Sequence, residues 1–300
     1  MELDNLKAFL AVAETGSFSL AADHLHLTQP AVSKRIAQLE HQLDARLFDR
    51  IGRTVRLTDT GQTLAERANA ILQQVEDTER AIRNLTGDTR GQLSLATSHH
   101  VGLWRLPDVL KRFIDQHPGV TLDLHFMDSE VAHERILQGE LEMAIITLAP
   151  TGHERLVAEP VWRDRLVFVC AREHDLSHRR GITLGDLAAY PAILPDMSTF
   201  TGRIVKGMFE DHGLRLTVGM STNYLETIKM LIGVGLGWSV LPETMVDGDV
   251  TVLEIDARIE RTLGVIHHVN RTLSNAGVAF IELLREASDY SKNPDGTRPT

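Results

Sequence analysis

The feature that most constrains this chain is a seam at Leu64, Ala68, Ile71, Val75, Thr78, Ile82 and Leu85, spaced 4, 3, 4, 3, 4 and 3 residues apart. That rhythm holds a narrow stripe on one side of a helix through three heptads, the geometry by which two helices pack along their length. Thr58 or Asp59 can cap such a helix and Gly87 can end it, so one helix is expected over 58–88. The competing reading is a stripe laid on its own domain, but those stripes are usually wider. Paired helices are the expectation.

Before the seam, apolar residues at Leu3, Leu6, Phe9, Leu10 and Ala13 predict a first helix, which Gly16-Ser17 ends. Residues 19–25 predict a short second helix with small residues on one face. Thr28 can cap a third helix over 29–43, with Pro30 in its first turn, where the missing N–H costs little. Its apolar stripe is Val32, Ile36, Leu39 and Leu43, and its other face is polar. Two short helices joined by a tight turn, the second basic on one face, make a helix-turn-helix pattern. Residues 46–57, RLFDRIGRTVRL, then read as a small hairpin turning at Gly52, a wing.

Charge supports a contact with nucleic acid there. The whole chain carries −10, which argues against a nonspecific polyanion binder. Yet residues 29–56 hold six basic residues (Lys34, Arg35, Arg46, Arg50, Arg53, Arg56) against three acidic ones (Glu40, Asp44, Asp49), a local +3. Phosphate neutralisation is local, so the window matters more than the total.

From Gly91 the texture changes. Short β-rich runs at 93–97, 120–126, 143–147, 165–171, 192–194, 217–220, 238–241, 250–255 and 263–269 alternate with amphipathic stretches near 103–116, 130–138, 201–212, 223–234 and 274–287. Strand–helix alternation predicts a parallel or mixed sheet with crossover helices. The polar tail 291–300 is expected to be disordered. No run of roughly 18 apolar residues is present, so no membrane helix is expected. MELDNLKAFLAVAE lacks the basic start and cleavage site of a secretory signal, and cytoplasmic residence is the expectation. The one cysteine, Cys170, can form no internal disulfide and no Cys-rich metal site.

The segments "GSFSLAA", "LTQPAVSKRIAQLE", "LFDR" and "LTDTG", in this order and spacing, resemble the LysR-type transcriptional regulators. "GQLSLATS", "LPDVLKRF", "HPGV", "GELEMAII" and "GVGLGWSVLP" extend the resemblance to about residue 290. It implies an N-terminal all-α/winged helix-turn-helix domain (1–58) and a linker/dimerisation helix (59–90). It implies next a C-terminal α/β effector-binding domain (91–290), periplasmic-binding-protein-like of type 2. That domain would have two subdomains, 91–163 with 264–290, and 164–263, joined by crossover strands around a ligand cleft. The partners implied are double-stranded promoter DNA, a small-molecule effector, a second copy through the linker helix, a homotetramer overall, and RNA polymerase. No resident cofactor and no catalytic residue are expected.

Base-reading side chains must lie near the N-terminus of the third helix, which selects Gln29, Ser33, Lys34 and Arg35, with Pro30 against thymine methyls. Arg50, Arg53 and Arg56 of the wing would meet phosphates or the minor groove, unless they pair with Asp49 or Asp59.

In the implied cleft, strand-to-helix turns present free N–H groups that favour an anion. Mapped on the resemblance, Ser98, His99, His100, Ser129, Thr147, Phe200, Thr201 and Asn223 fall in those turns as effector contacts. Ser and Thr at helix starts are often simply caps, which is the bland alternative. Arg105, Arg203 and Lys229 lie nearby in sequence, and only 5% of residues are aromatic. The combination suits a small polar anion, an organic acid or an amino acid. A metal at His99-His100 lacks matching carboxylate or Cys spacing. "STNYLETIKML" and "RTLSNA" further resemble a subgroup of these regulators encoded beside leucine-biosynthesis genes, which implies an isopropylmalate-like acid as one effector candidate.

Two other classes compete. An enzyme would need a nucleophile elbow, a P-loop or a dinucleotide fingerprint, and none is present; "GVGLG" at 233–237 precedes a strand instead of following one. A purely architectural DNA-bending protein with no effector would not need some 200 residues of α/β domain.

Overall fold

Three helices close around Phe9 because each supplies apolar residues at helical spacing: α1 (Leu3–Thr15), α2 (Phe18–His24) and α3 (Gln29–Leu43). Leu6, Phe9, Val12, Val32, Ile36 and Leu39 are buried together, and the Phe9 ring lies 5.3 Å from that of Phe48. The computed structural model describes residues 1–51, 54–85 and 87–292, with the side chains of 50, 51, 54, 291 and 292 outside that description. The tail expected to be disordered lies beyond it, apart from its first two residues.

The strands β1 (Phe48–Ile51) and β2 (Thr54–Leu57) pair antiparallel, Phe48 opposite Leu57, as the wing reading expected. Helix α4 (Asp59–Asn84) follows. Thr58 caps it by accepting from the Gly61 N–H at 3.0 Å, while its own hydroxyl donates to the Arg46 carbonyl at 2.7 Å. Gly61 is required at that approach, since a Cβ there would stand 2.2 Å from the Leu47 carbonyl oxygen. The seam divides along this helix. Ala68 is fully buried and Leu64 and Ile71 pack half-buried on the Phe9 cluster. Ile82 and Leu85 are 62% and 86% exposed. The own-domain reading thus accounts for the first half of the seam only.

The chain divides into two compact units, Met1–Thr86 and Gly87–Thr300. In the second, β3 (Gly91–Thr97), α5 (His99–Trp104), α6 (Pro107–Gln116), β4 (Val120–Phe126), α7 (Ser129–Leu137) and β5 (Met143–Thr147) form a parallel α/β lobe. The single helix expected over 103–116 is two, because Pro107 starts a new helix and cannot continue the old one. The strand β6 (Leu156–Cys170) then crosses into a second lobe of α8 (Leu184–Ala188), β7 (Ala192–Leu194), α9 (Phe200–Asp211), β8 (Val218–Ser221), α10 (Leu225–Gly233), β9 (Trp238–Pro242) and β10 (Thr251–Val252). The strand β11 (Ile259–His268) returns, and α11 (Asn275–Glu286) packs on the first lobe.

These strands form one sheet in the order β4-β3-β5-β11-β6-β9-β7-β8, with β10 on β6. β6 and β11 run antiparallel through both lobes, from His268 opposite Leu156 to Ile259 opposite Leu166. Both are longer than their apolar runs suggested, because the crossover carries polar residues. Each lobe has its own core. Phe113 and Phe280 meet edge to face at 5.1 Å in the first. Trp238 stacks on Phe209 at 5.6 Å in the second and donates its indole N–H to the Leu187 carbonyl. Burying each such side chain contributes about 1.5–3 kcal/mol. Among the described residues no helix is long and apolar enough to cross a membrane.

Candidate functional site

The carboxyl ends of the parallel strands in both lobes point toward the crossover, so the helices that follow them start there. Ser98 precedes α5, Asp128 precedes α7, Thr199 precedes α9 and Tyr224 precedes α10. Between these starts lies a cleft of about 50 Å³ lined by Ser98, His99, His100, Asp128, Ser129, Glu130, Thr147, Pro195, Thr199, Thr201, Asn223, Leu225 and Arg261. Seven residues singled out from the sequence line it: Ser98, His99, His100, Ser129, Thr147, Thr201 and Asn223. The Phe200 side chain does not. It faces a groove with Ala149, Pro150 and Thr151, its ring 5.9 Å from that of His133 and under the Arg203 guanidinium.

The floor of the cleft is charged, and it comes from the crossover strands. Asp164 on β6 and Arg261 on β11 sit directly opposite each other in the sheet. Arg261 Nε donates to Asp164 Oδ2 at 2.7 Å and Nη1 donates to Thr201 Oγ1 at 2.8 Å. Its Nη2 is buried without a partner. Around Asp164 stand His100, with Nε2 at 3.7 Å, and Arg105, with Nη2 at 3.5 Å. Burial alone would raise the Asp164 carboxyl, but His100 and Arg261 outweigh it and hold it at about 2. Burial lowers His100 despite Asp164, so its imidazole is neutral at pH 7, and both ring nitrogens are buried without a hydrogen bond. Of the other bases noted nearby, Lys229 pairs with Asp247 and Arg203 donates to the Ser198 carbonyl, so neither enters the floor.

The walls are joined across the cleft. Asn223 donates to Asp128 Oδ2 at 2.7 Å and accepts from the Asp196 N–H at 3.0 Å. Glu130 on α7 accepts from the Phe200 N–H, the first of α9. Thr199 caps that helix by accepting from the Gly202 N–H, where a Cβ would meet the Asp196 carbonyl oxygen at 2.2 Å. At the mouth, Trp104 donates to Glu226 at 3.0 Å, and the His99 and Tyr224 rings meet edge to face at 4.7 Å. Ser129 accepts from the Thr147 N–H at 3.2 Å, a structural use of two sequence-selected residues. Arg261, Asp164, Asp128 and Glu130 were missed by sequence reasoning; only the turn at Asp128 gave a signal. Among the described residues no three His, Cys, Asp or Glu side chains converge as a metal site. The half-buried His267 and His268 hydrogen-bond locally along β11 and its turn.

In the first unit, Gln29, Pro30 and Lys34 are exposed at the start of α3, and Ser33 is half-buried and accepts from Gln29 Nε2 at 2.9 Å. Arg35 is tied to α1 through Asp4 at 3.1 Å. Arg56 is exposed on β2, whereas the Arg50 side chain and all of Arg53 lie outside the described residues.

Comparison with known proteins adds independent findings. A family model described as LysR substrate binding domain matches residues 86–289, and one described as bacterial regulatory helix-turn-helix protein, lysR family, matches residues 3–62. A probable RuBisCO transcriptional regulator of Synechocystis sp. is 31% identical over 309 aligned positions, covering 99% of this chain and 89% of the relative. An uncharacterized HTH-type transcriptional regulator in the ibpB-leuC intergenic region of Azotobacter vinelandii is 66% identical over 107 residues, 36% of this chain and 74% of the relative. A full-length OxyR variant from Pseudomonas aeruginosa superposes with TM-score 0.68 at 23% identity, over 96% of this chain and 94% of that one. Full-length CbnR complexed with its target DNA superposes with TM-score 0.66 at 24% identity, over 96% and 100%.

Proposed function

The chain belongs to the LysR family of bacterial transcriptional regulators, and from that premise we propose which of its residues read promoter DNA and which hold the effector. It is a DNA-binding regulator with an effector-binding domain, and not an enzyme. Gln29, Ser33 and Lys34, with Pro30, face the bases from α3, and Arg56 with Arg50 and Arg53 meets the backbone. Arg35 reaches DNA only by leaving Asp4. The domains are a DNA-binding domain over 1–58, a linker helix over 59–90 and the two-lobed domain over 91–290. Ile82 and Leu85 serve contact with a second copy, and two dimers make the tetramer. A cytoplasmic home follows from work on promoter DNA.

The effector is a small polar molecule with an anionic group, held by Ser98, His99, His100, Ser129, Thr147, Thr201 and Asn223 above Arg261. One observation carries this reading: the Nη2 of Arg261 is a buried guanidinium donor without a partner, in a residue that lines the cleft. A buried donor left unsatisfied costs stability, and an anionic group repays it. The ligand changes the pose of the lobes on β6 and β11, and thereby the spacing of the DNA-binding heads. The test is a footprint of the full chain on its own promoter, with and without a ligand found by thermal shift. An unchanged footprint at saturation would overturn the coupling.

The Azotobacter relative's name places it between ibpB and leuC, which favours a branched-chain biosynthetic target for this chain. Transcript levels of the genes flanking this regulator, in cells with and without it, test that link.

A further inference from the structure

The cleft holds an imbalance that a plain organic acid does not correct. Asp164, 2.7 Å from Arg261 and 3.5 Å from Arg105, offsets one of the two guanidinium charges on the floor, which leaves room there for a single carboxylate. On the walls, Asp128 and Glu130 both line the cleft, and neither is paired with a cation among the described residues. Asp128 accepts from the Asn223 amide and Glu130 from the Phe200 N–H; both donors are neutral. So Arg261, whose Nη1 already reaches Thr201 in the first turn of the 12-residue α9, offers an unused guanidinium N–H, while Asp128 and Glu130 of the first lobe, held only by neutral donors, offer carboxylate lone pairs to spare.

We infer that the effector is an α-amino acid: its carboxylate meets Arg261 Nη2 and the first N–H groups of α9, and its ammonium meets Asp128 and Glu130. This rests on the cleft being the effector site. An anion without an ammonium adds like charge next to two uncompensated carboxylates, whereas a zwitterion places each charge against its opposite. The structure also shows what must move. Glu130 occupies the α9 N-terminus, where a ligand carboxylate gains most from the helix dipole. The cleft of about 50 Å³ is too small for an amino acid, so the lobes part and the Glu130–Phe200 and Asn223–Asp128 bonds break. Glu130 then exchanges the backbone N–H for the ammonium, and the ligand carboxylate takes its place on α9. The same side chain closes the empty cleft and recognises the occupied one.

The experiment is thermal shift and calorimetry on the full chain with the twenty L-amino acids, their α-hydroxy acid counterparts and linear dicarboxylates. The expected result is that at least one amino acid binds, its hydroxy acid counterpart binds at least about tenfold more weakly, and D128N or E130Q reduces that preference to about threefold or less. A hydroxy acid or dicarboxylate that binds as tightly as any amino acid overturns the ammonium contact. If R261Q or R261K then abolishes its binding, the cleft reading survives. Binding by no probe of any class overturns the inference. Binding of an amino acid that D128N, E130Q and R261K leave unchanged overturns both the inference and the cleft reading.

Discussion

Arg261 Nε and Asp164 Oδ2, 2.7 Å apart and 97 residues apart in sequence, join the two strands that cross between the lobes. Asp164 is 1% exposed and Arg261 7%, so the pair is buried where the crossover strands meet. Replacing one member strands the other charge in a low-dielectric site. D164N is therefore expected to destabilise the effector domain by about 3–5 kcal/mol, read as a lower urea midpoint for that transition. R261K, which keeps the charge but loses the fork, is expected to cost less.

The same cluster sets an acid limit. The Asp164 carboxyl sits at about 2 in the fold, below its ordinary value near 3.9 in an unfolded chain. Its contribution is complete above about pH 4 and is lost as pH falls through about 2. His100 is also lowered, by burial first, so the unfolded chain takes up its proton below about pH 6.5 before the folded one does, and stability declines on that side too. His133 and His174, lowered by burial as well, add to that decline. Urea midpoints from pH 7 to about pH 2 are expected to fall in two stages. H100Q is expected to flatten part of the upper stage and, because His100 also helps hold the Asp164 carboxyl down, to shrink the lower one and move it to higher pH.

On the DNA side, Arg56 is exposed on the wing strand β2 and is expected to serve the phosphates. R56A should weaken every sequence alike and reduce the salt slope of binding by about one. Q29A should instead relax preference at one base position, worth about 1–3 kcal/mol. Selection from a randomised duplex library, followed by binding across a salt series, separates the two. An R56A variant that altered preference would reverse the assignment.

The exposed end of the seam gives an oligomerisation test. I82E with L85E places charge where α4 presents 62% and 86% exposed apolar residues. Sedimentation of the full chain is expected to show a smaller species than the parent, with unchanged far-UV circular dichroism, because neither side chain supports its own unit's core.

Local signals in the sequence carried the three-helix head, the wing, the long helix and the alternation of strands and helices, since periodicity and caps are written within a few residues. They carried the helix starts that wall the cleft for the same reason: Ser98, Asp128 and Thr199 each stand before an amphipathic run. The seam shows where that information thins. Its spacing is legible, but whether Ala68 packs on Phe9 of its own unit or on another chain depends on where α1 lies. The resemblance implied a crossover but not its chemistry. Arg261 and Asp164 look like ordinary surface charges in polar stretches until β6 and β11 pair in register. Glu130 and the Phe200 N–H, 70 residues apart, meet only because two lobes face each other. The sequence by itself determined the elements and the family. The tertiary structure decided the cleft, because burial makes a charge costly alone and decisive when paired, and burial is a property of the fold.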